Sequence, residues 1–317
     1  MAPPLRRLLI AAAIAGAALA GGTARAQGSF LREPDFRVAT IGYRIATAGG
    51  ALCRERAPLS GMLLHHLAEY ARADRPRLIA QGLDHGPGVL AVVADGPAEA
   101  AGLRAGDVLL AVDGERFASP AGIAANRDRR QWRPLVEASE AVLEARLARG
   151  PAWLEVLRGG ETLAVTLVPR AGCPLRIRLA NSSQRTAVSS GNHVVLASGI
   201  LALIRNDDEL AFVIAHELAH IALNHRAQLR AQGVPRRGLL RGVGRHGAFV
   251  RQTEAEADLL GGELAIAAGY DLARGAEILA RLPGELPTLG LIQTHAGTGE
   301  RIRALRALAA RAGTPER

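Results

Sequence analysis

The spacing of apolar residues changes character along the chain. Between Ile79 and Pro169 it reads as short strands broken by glycine turns: Val89–Val93, Val108–Val112, then Trp153–Leu157 and Leu163–Val168 joined through Gly159-Gly160. One amphipathic helix, Leu135–Leu147, interrupts them. Beyond Arg176 the period lengthens. Asn192–Leu196 is a β-prone run, and Leu210, Val213, Ile214, Leu218 and Ile221 then recur at helical spacing within Asp207–Ala227. Asn206 followed by Glu209 is a capping-box pattern that starts this helix. Further helices are predicted over Thr253–Ala268, Leu272–Leu282 and Glu300–Arg311. Upstream, Arg37–Ala46 reads as a strand and Leu59–Ala73 as a helix. The predicted fold class is α+β, with residues 27–75 as an N-terminal segment, 76–170 as a β-rich domain and 171–317 as a mainly helical domain with a small sheet.

The first residues carry a different pattern. Arg6 and Arg7 precede an apolar stretch from Leu8 to Ala20, and Ala24-Arg25-Ala26 supplies the small residues that signal peptidase cleaves. Residues 1–26 therefore read as a signal peptide, its apolar stretch being short of the ~20 residues that span a bilayer. The expected location is outside the cytoplasm, in the periplasm.

Charge adds little. All 39 basic residues are arginine, which looks like codon bias, and loss of the first 26 residues removes three arginines and no acid, lowering the net charge from +9 to +6. Neither that charge nor an exported protein points to a nucleic-acid partner. The chain has two cysteines, Cys53 and Cys173, and an even pair in an exported protein predicts a disulfide. It would clamp the segment before the β-rich domain to the segment after it.

The chemistry lies in His216-Glu217-Leu218-Ala219-His220. Residues four apart share one face of a helix, so His216 and His220 can aim two imidazoles at one ion, with Glu217 beside it as general base for water. A metzincin would need glycine and histidine where this chain has Leu223 and Arg226, which excludes that class. A third ligand is expected from Glu254-Ala-Glu-Ala-Asp258, which begins 34 residues after His220. Glu254 is the favoured ligand and Asp258 a hydrogen-bonding support for a ligating histidine; Glu256, about 200° around the helix from Glu254, competes. Two histidines and a glutamate leave a fourth position for water, which suits hydrolysis with one zinc per chain. His225 is expected to face away from the ligands, about 140° beyond His220. His65 and His66 read as structural or solvated, and His193 has no assigned role. The segment Arg226–Arg251 holds seven arginines, five glycines and no acid. It reads as a mobile loop: a lid, a peripheral contact for anionic lipid, or a solvated segment.

Two resemblances follow from these blocks. The stretch from Asp95 to Glu115, DGPAEAAGLRAGDVLLAVDGE, resembles a bacterial PDZ domain of the kind found in secreted proteases. That resemblance implies a groove for extended peptides or C-termini between an early strand and the Leu135 helix, with Gly82 and Leu83 as carboxylate-binding loop. HELAHIALNH, EAEADLLGGELAIAAGYD and THAGTGERIRAL, in that order, resemble metallopeptidase family M48, the family of the CAAX prenyl endopeptidases and of HtpX. This implies a zincin-like domain, zinc on His216, His220 and Glu254, and catalysis by Glu217. It also places His295 beside the metal, as an oxyanion donor or a fourth ligand, although Ala296 stands where relatives have proline.

The function expected is that of a periplasmic zinc metalloendopeptidase acting on polypeptides, including unfolded envelope proteins, with an edge strand near Val194 aligning the substrate. The alternative is a PDZ-based adaptor, chaperone-like, with a latent peptidase site.

Overall fold

The computed structural model describes residues 33–118, 132–235, 241–282 and 298–313. The signal-peptide expectation for residues 1–26 and the expectation for His295 lie outside them.

Helix α1 (Glu33–Ala48) opens the described chain, with Glu33 and Asp35 in its first turn, where carboxylates favour the helix dipole. The strand expected over Arg37–Ala46 is therefore corrected. Val38, Ile41 and Ile45 recur every three or four residues and are all buried, which is the stripe of a core helix. Leu59–Ala73 also differs from expectation. It forms the end of β1 (Ala57–Leu59) and all of β2 (Met62–His65), followed by a 3-10 turn. Pro58 removes a helical hydrogen bond, and Gly61 turns the chain in the left-handed region at φ 72°, so a helix cannot pass through this point.

After α2 (Arg75–Ile79) come β3 (Gly88–Val92), α3 (Pro97–Ala100), β4 (Val108–Val112), β5 (Glu115–Arg116), α4 (Trp132–Leu147), β6 (Ala152–Arg158) and β7 (Glu161–Leu167). The sheet runs in the order β2-β3-β4-β6-β7, with β5 hung on β4. Its core joins Val89, Leu109, Leu154 and Val156 to Leu143 and Leu147 of α4. The sheet thus takes in β2, upstream of residue 76. Its last exit is β8 (Arg170–Gly172), which returns to pair antiparallel with β1.

The rest of the chain comprises β9 (Arg176–Ala180), β10 (Ala187–Ser190), β11 (His193–Ala197), α5 (Asp207–Ala222), α6 (His225–Ala231), α7 (Gly244–Ala267), α8 (Leu272–Gly275) and α9 (Thr298–Ala312). The three strands are ordered β10-β11-β9, with β11 parallel to β9 and antiparallel to β10. The expected edge strand near Val194 is thus the central strand. Among the described residues β10 pairs with β11 alone and forms the edge. Its sequence, Ala-Val-Ser-Ser, is too short and polar to stand out as a strand. One continuous core packs α1, α5, α7 and the small sheet through Ile45, Val194, Leu210, Ile214, Leu218 and Leu264. The Arg226–Arg251 segment is corrected too: α6 takes its first residues and α7 begins at Gly244, residues 236–240 being outside the description.

Charges join the β-rich region to the small sheet. Glu140 of α4 contacts Arg178 at 2.6 Å and His193 at 3.3 Å, and Arg178 also holds Glu69 at 2.8 Å. Arg176 pairs with Glu144. Burial alone would raise the Glu140 carboxyl, but His193, Arg178 and Arg176 together bring it below its ordinary value. The edge strand beside α4 is β2, led in by Ser60-Gly61, and a cavity of about 110 Å³ lies between them. Tyr43 of α1 and Leu175 and Ile177 at β9 form its other wall. The Gly82-Leu83 expectation fails on position, because Gly82 packs against Leu157 of β6.

Cys53 and Cys173 form a disulfide spanning 120 residues of sequence, immediately outside the β1–β8 pair. It ties together the two points where the chain leaves and rejoins the helical region. A loop of this length restricts the unfolded chain strongly. The Cys53→Ser/Cys173→Ser double variant is expected to lose about 2–5 kcal/mol of stability in denaturant titration; an unchanged midpoint would remove the disulfide's structural role.

Candidate metal centre

The site is built on α5. Asn206 caps it, its side-chain oxygen accepting from the Glu209 amide at 3.0 Å. Leu210, Ile214 and Leu218 are wholly buried and fix its rotation. His216, Glu217 and His220 then fall on partly exposed positions.

Across them lies α7, antiparallel and very close. Ala257, Gly261 and Ala265, one turn apart, are buried on its inner side. At Gly261 an added Cβ would stand 2.9 Å from both the Cα and the N of His216, so no side chain fits between the backbones. This approach brings Glu254 to the histidines. His216 Nε2 and His220 Nε2 are 3.1 Å apart, and the Glu254 oxygens lie 3.4 Å from the first and 3.6 Å from the second. A tetrahedral zinc with bonds of about 2.0–2.1 Å separates its ligand atoms by about 3.3–3.4 Å. The three donors therefore fit that ion.

Asp258 lies one turn beyond Glu254, with Oδ1 3.0 Å from His216 Nδ1, an ion-pair distance without hydrogen-bond alignment. Arg301 of α9 grips the same carboxylate with two bonds of 2.6 and 2.7 Å. Burial would raise Asp258, but Arg301 and His216 hold it below the usual carboxylate range. Burial would likewise lower His216, yet Asp258 and Glu254 raise it to about 10. His220 moves the other way, to about 3, through burial and the neighbouring His216 charge.

Glu217 turns towards β10. Burial raises its carboxyl, opposed by the His216 charge and by the nearby polar groups of Ser189. Arg226 of α6 also bonds the Ser190 hydroxyl on that strand. The candidate base thus lies beside the edge strand.

Glu256 stands apart from the three donors. Its Oε2 lies 3.1 Å from His225 Nε2, and its Oε1 accepts from Gln252 at 2.8 Å. His225 does not face away from the site as expected. It is buried, 2.8 Å from His220 Nδ1. Asn224 takes a left-handed conformation, φ 54°, which ends α5 and re-aims the next residue, so the helical angle does not apply. His193 binds Glu140 on the other side of the small sheet's contacts. His65 contacts the Tyr70 hydroxyl at 2.6 Å, and His66 accepts from the Ala68 amide at 3.2 Å. Burial lowers these two histidines to about 3 and about 4.

Sequence reasoning missed Ser189, His225 and Arg301. Arg301 lies inside the THAGTGERIRAL block and His225 closes HELAHIALNH, so both were in view without a role. Ser189 had no signal of its own.

Residues 185–240 match the model of Peptidase family M48, and residues 88–125 match that of a PDZ domain. Among solved structures the chain is similar to the HtrA3 PDZ domain bound to a phage-derived ligand, FGRWV. The identity is 21%, over 37% of this chain and 89% of that one, with a TM-score of 0.27. It is also similar to the HtrA-type protease AlgW with a decapeptide, at 23% identity over 37% of this chain and 29% of that one, with a TM-score of 0.22. No curated protein matches the chain.

Replacing Gly261 by alanine forces α5 and α7 apart. It is expected to cost about 1–3 kcal/mol of stability and to weaken zinc binding in a chelator competition. Full stability together with full zinc affinity would show that the close approach does not set the site.

Proposed function

We propose that this chain, a family M48 peptidase carrying a PDZ domain, is an exported zinc endopeptidase of zincin-like architecture. One observation carries the reading: His216, His220 and Glu254 present three donors at zinc-ligand spacing while Glu217, one residue from the first ligand, faces β10, an edge strand among the described residues.

The chain's own residues divide the work. The edge of β10, unpaired among the described residues, offers backbone donors and acceptors to which an extended polypeptide can add as a further strand, placing its carbonyls along the α5 face. Zinc, when bound, supplies the Lewis acidity that polarises the scissile carbonyl. Glu217 takes the proton of the attacking water on its carboxylate and passes it to the departing amine, which must leave protonated. Ser189 of β10 lies beside that carboxyl. Asp258, clamped by Arg301, orients His216.

The PDZ-domain match supports peptide binding, which the groove between β2 and α4 would provide. The cavity there, about 110 Å³, is smaller than the about 300–1,000 Å³ of ordinary ligand pockets, with residues of α1 and β9 on its other wall. Residues 1–26 support export to the periplasm, and with it a role on unfolded envelope proteins. His295 is proposed to act at the metal, as oxyanion donor or as a ligand that water displaces.

The Glu217→Gln variant tests the assignment. It is expected to keep one zinc per chain and the wild-type melting temperature while cleavage of an unfolded polypeptide falls by about 10²–10⁴-fold. Wild-type cleavage by that variant would contradict the assignment.

A further inference from the structure

The two metal-facing histidines are supported from behind by different chemistry. Behind His216 stands a carboxylate, Asp258. Behind His220 stands another imidazole, His225, and behind that a carboxylate, Glu256.

The hydrogen positions along this row follow from the groups present. A carboxylate only accepts, and Glu256 takes one hydrogen from Gln252 on Oε1, leaving Oε2 for His225. His225 must then carry its proton on Nε2. In a neutral ring its Nδ1 is a bare lone pair, which can only accept. Its partner 2.8 Å away is His220 Nδ1, which must therefore be the protonated nitrogen. That leaves the lone pair of His220 on Nε2, the atom 3.1 Å from His216 Nε2 and 3.6 Å from Glu254. Each bond in the row fixes the next, and the last one delivers the nitrogen that a metal needs. His225 is 1% exposed, so solvent cannot substitute for it as acceptor.

We propose that Gln252, Glu256 and His225 form a positioning relay that locks His220 in the tautomer and orientation presenting Nε2 to the metal. None of the three is a ligand, and the relay acts through His220. The left-handed Asn224 is part of the device, because only a chain break directly after α5 places His225 beside His220. The inference rests on the zinc reading above.

Zinc affinity of the full chain, measured by competition with a chromogenic chelator, tests it, with thermal melts of the metal-free proteins alongside. His225→Leu keeps an apolar body but offers no acceptor, and is expected to bind zinc 10–100-fold more weakly. His225→Asn restores an acceptor oxygen near the position of Nδ1 and is expected to recover most of the loss, which a purely space-filling role would not predict. Glu256→Ala, at a side chain 40% exposed, carries the test should the buried variants fail to fold, and is expected to weaken zinc binding in the same direction. Zinc affinity equal to wild type in folded His225→Leu or in Glu256→Ala would overturn the relay alone. A wild-type chain that binds no zinc would overturn the metallopeptidase reading and the relay with it.

Discussion

The near-contact of two helix backbones at Gly261 governs the site. Helices normally pack with their axes 8–10 Å apart, the distance being set by the side chains between them. Here α7 places Ala257, Gly261 and Ala265 against α5, and at the middle position nothing larger than hydrogen fits over His216. Glu254, two turns before Gly261, consequently reaches the imidazoles. A longer ligand side chain on a more distant helix would have more freedom and would lose more of it on binding an ion. The other supports assume this spacing: Asp258 meets His216 one turn along, and α9 places Arg301 on Asp258. Removing one member of such a half-buried pair leaves a charge uncompensated, at a cost of about 3–5 kcal/mol. The pair is therefore a requirement of the geometry more than a source of stability.

The β-rich region is not a bead on a linker. Its chain leaves and returns through the β1–β8 pair and the Cys53–Cys173 bridge, and α4 is fastened to β9 and β11 by Glu140, Glu144, Arg176, Arg178 and His193. Burying so many charges gains little net energy but imposes one docking geometry, since each carboxylate must find its own partner. The same small sheet carries β10, whose Ser189 touches Glu217. The cavity beside β2 and α4 and the Glu217 carboxyl are thus attached to opposite sides of one three-stranded sheet.

What could be read from the sequence followed the strength of local signals. The α5 helix was legible because its cap, stripe and HExxH spacing agree, and the β6–β7 hairpin because Gly159-Gly160 separates two alternating runs. The α1 helix was not: its Val, Thr, Ile and Tyr favour strands, and burial against α5 and α7 overrides that preference. Leu59–Ala73 showed helical periodicity, yet Pro58 and Gly61 decided its conformation. The three facing donors at the candidate metal centre, together with Asp258, could be named from spacing on two helices. His225 could not, because its role depends on a left-handed asparagine where no glycine or proline marked a break. Nor could Ser189, which matters only through a strand pairing made in three dimensions.

The most direct test of this account is X-ray absorption at the zinc edge of the zinc-loaded Glu217→Gln protein. It should show one zinc per chain bound by light atoms alone, with imidazole scattering and a carboxylate oxygen at about 2.0–2.2 Å. Replacing Glu254 by alanine should remove that oxygen or the zinc itself. A first shell unchanged by that replacement, or one lost only when Glu256 is replaced, would contradict it.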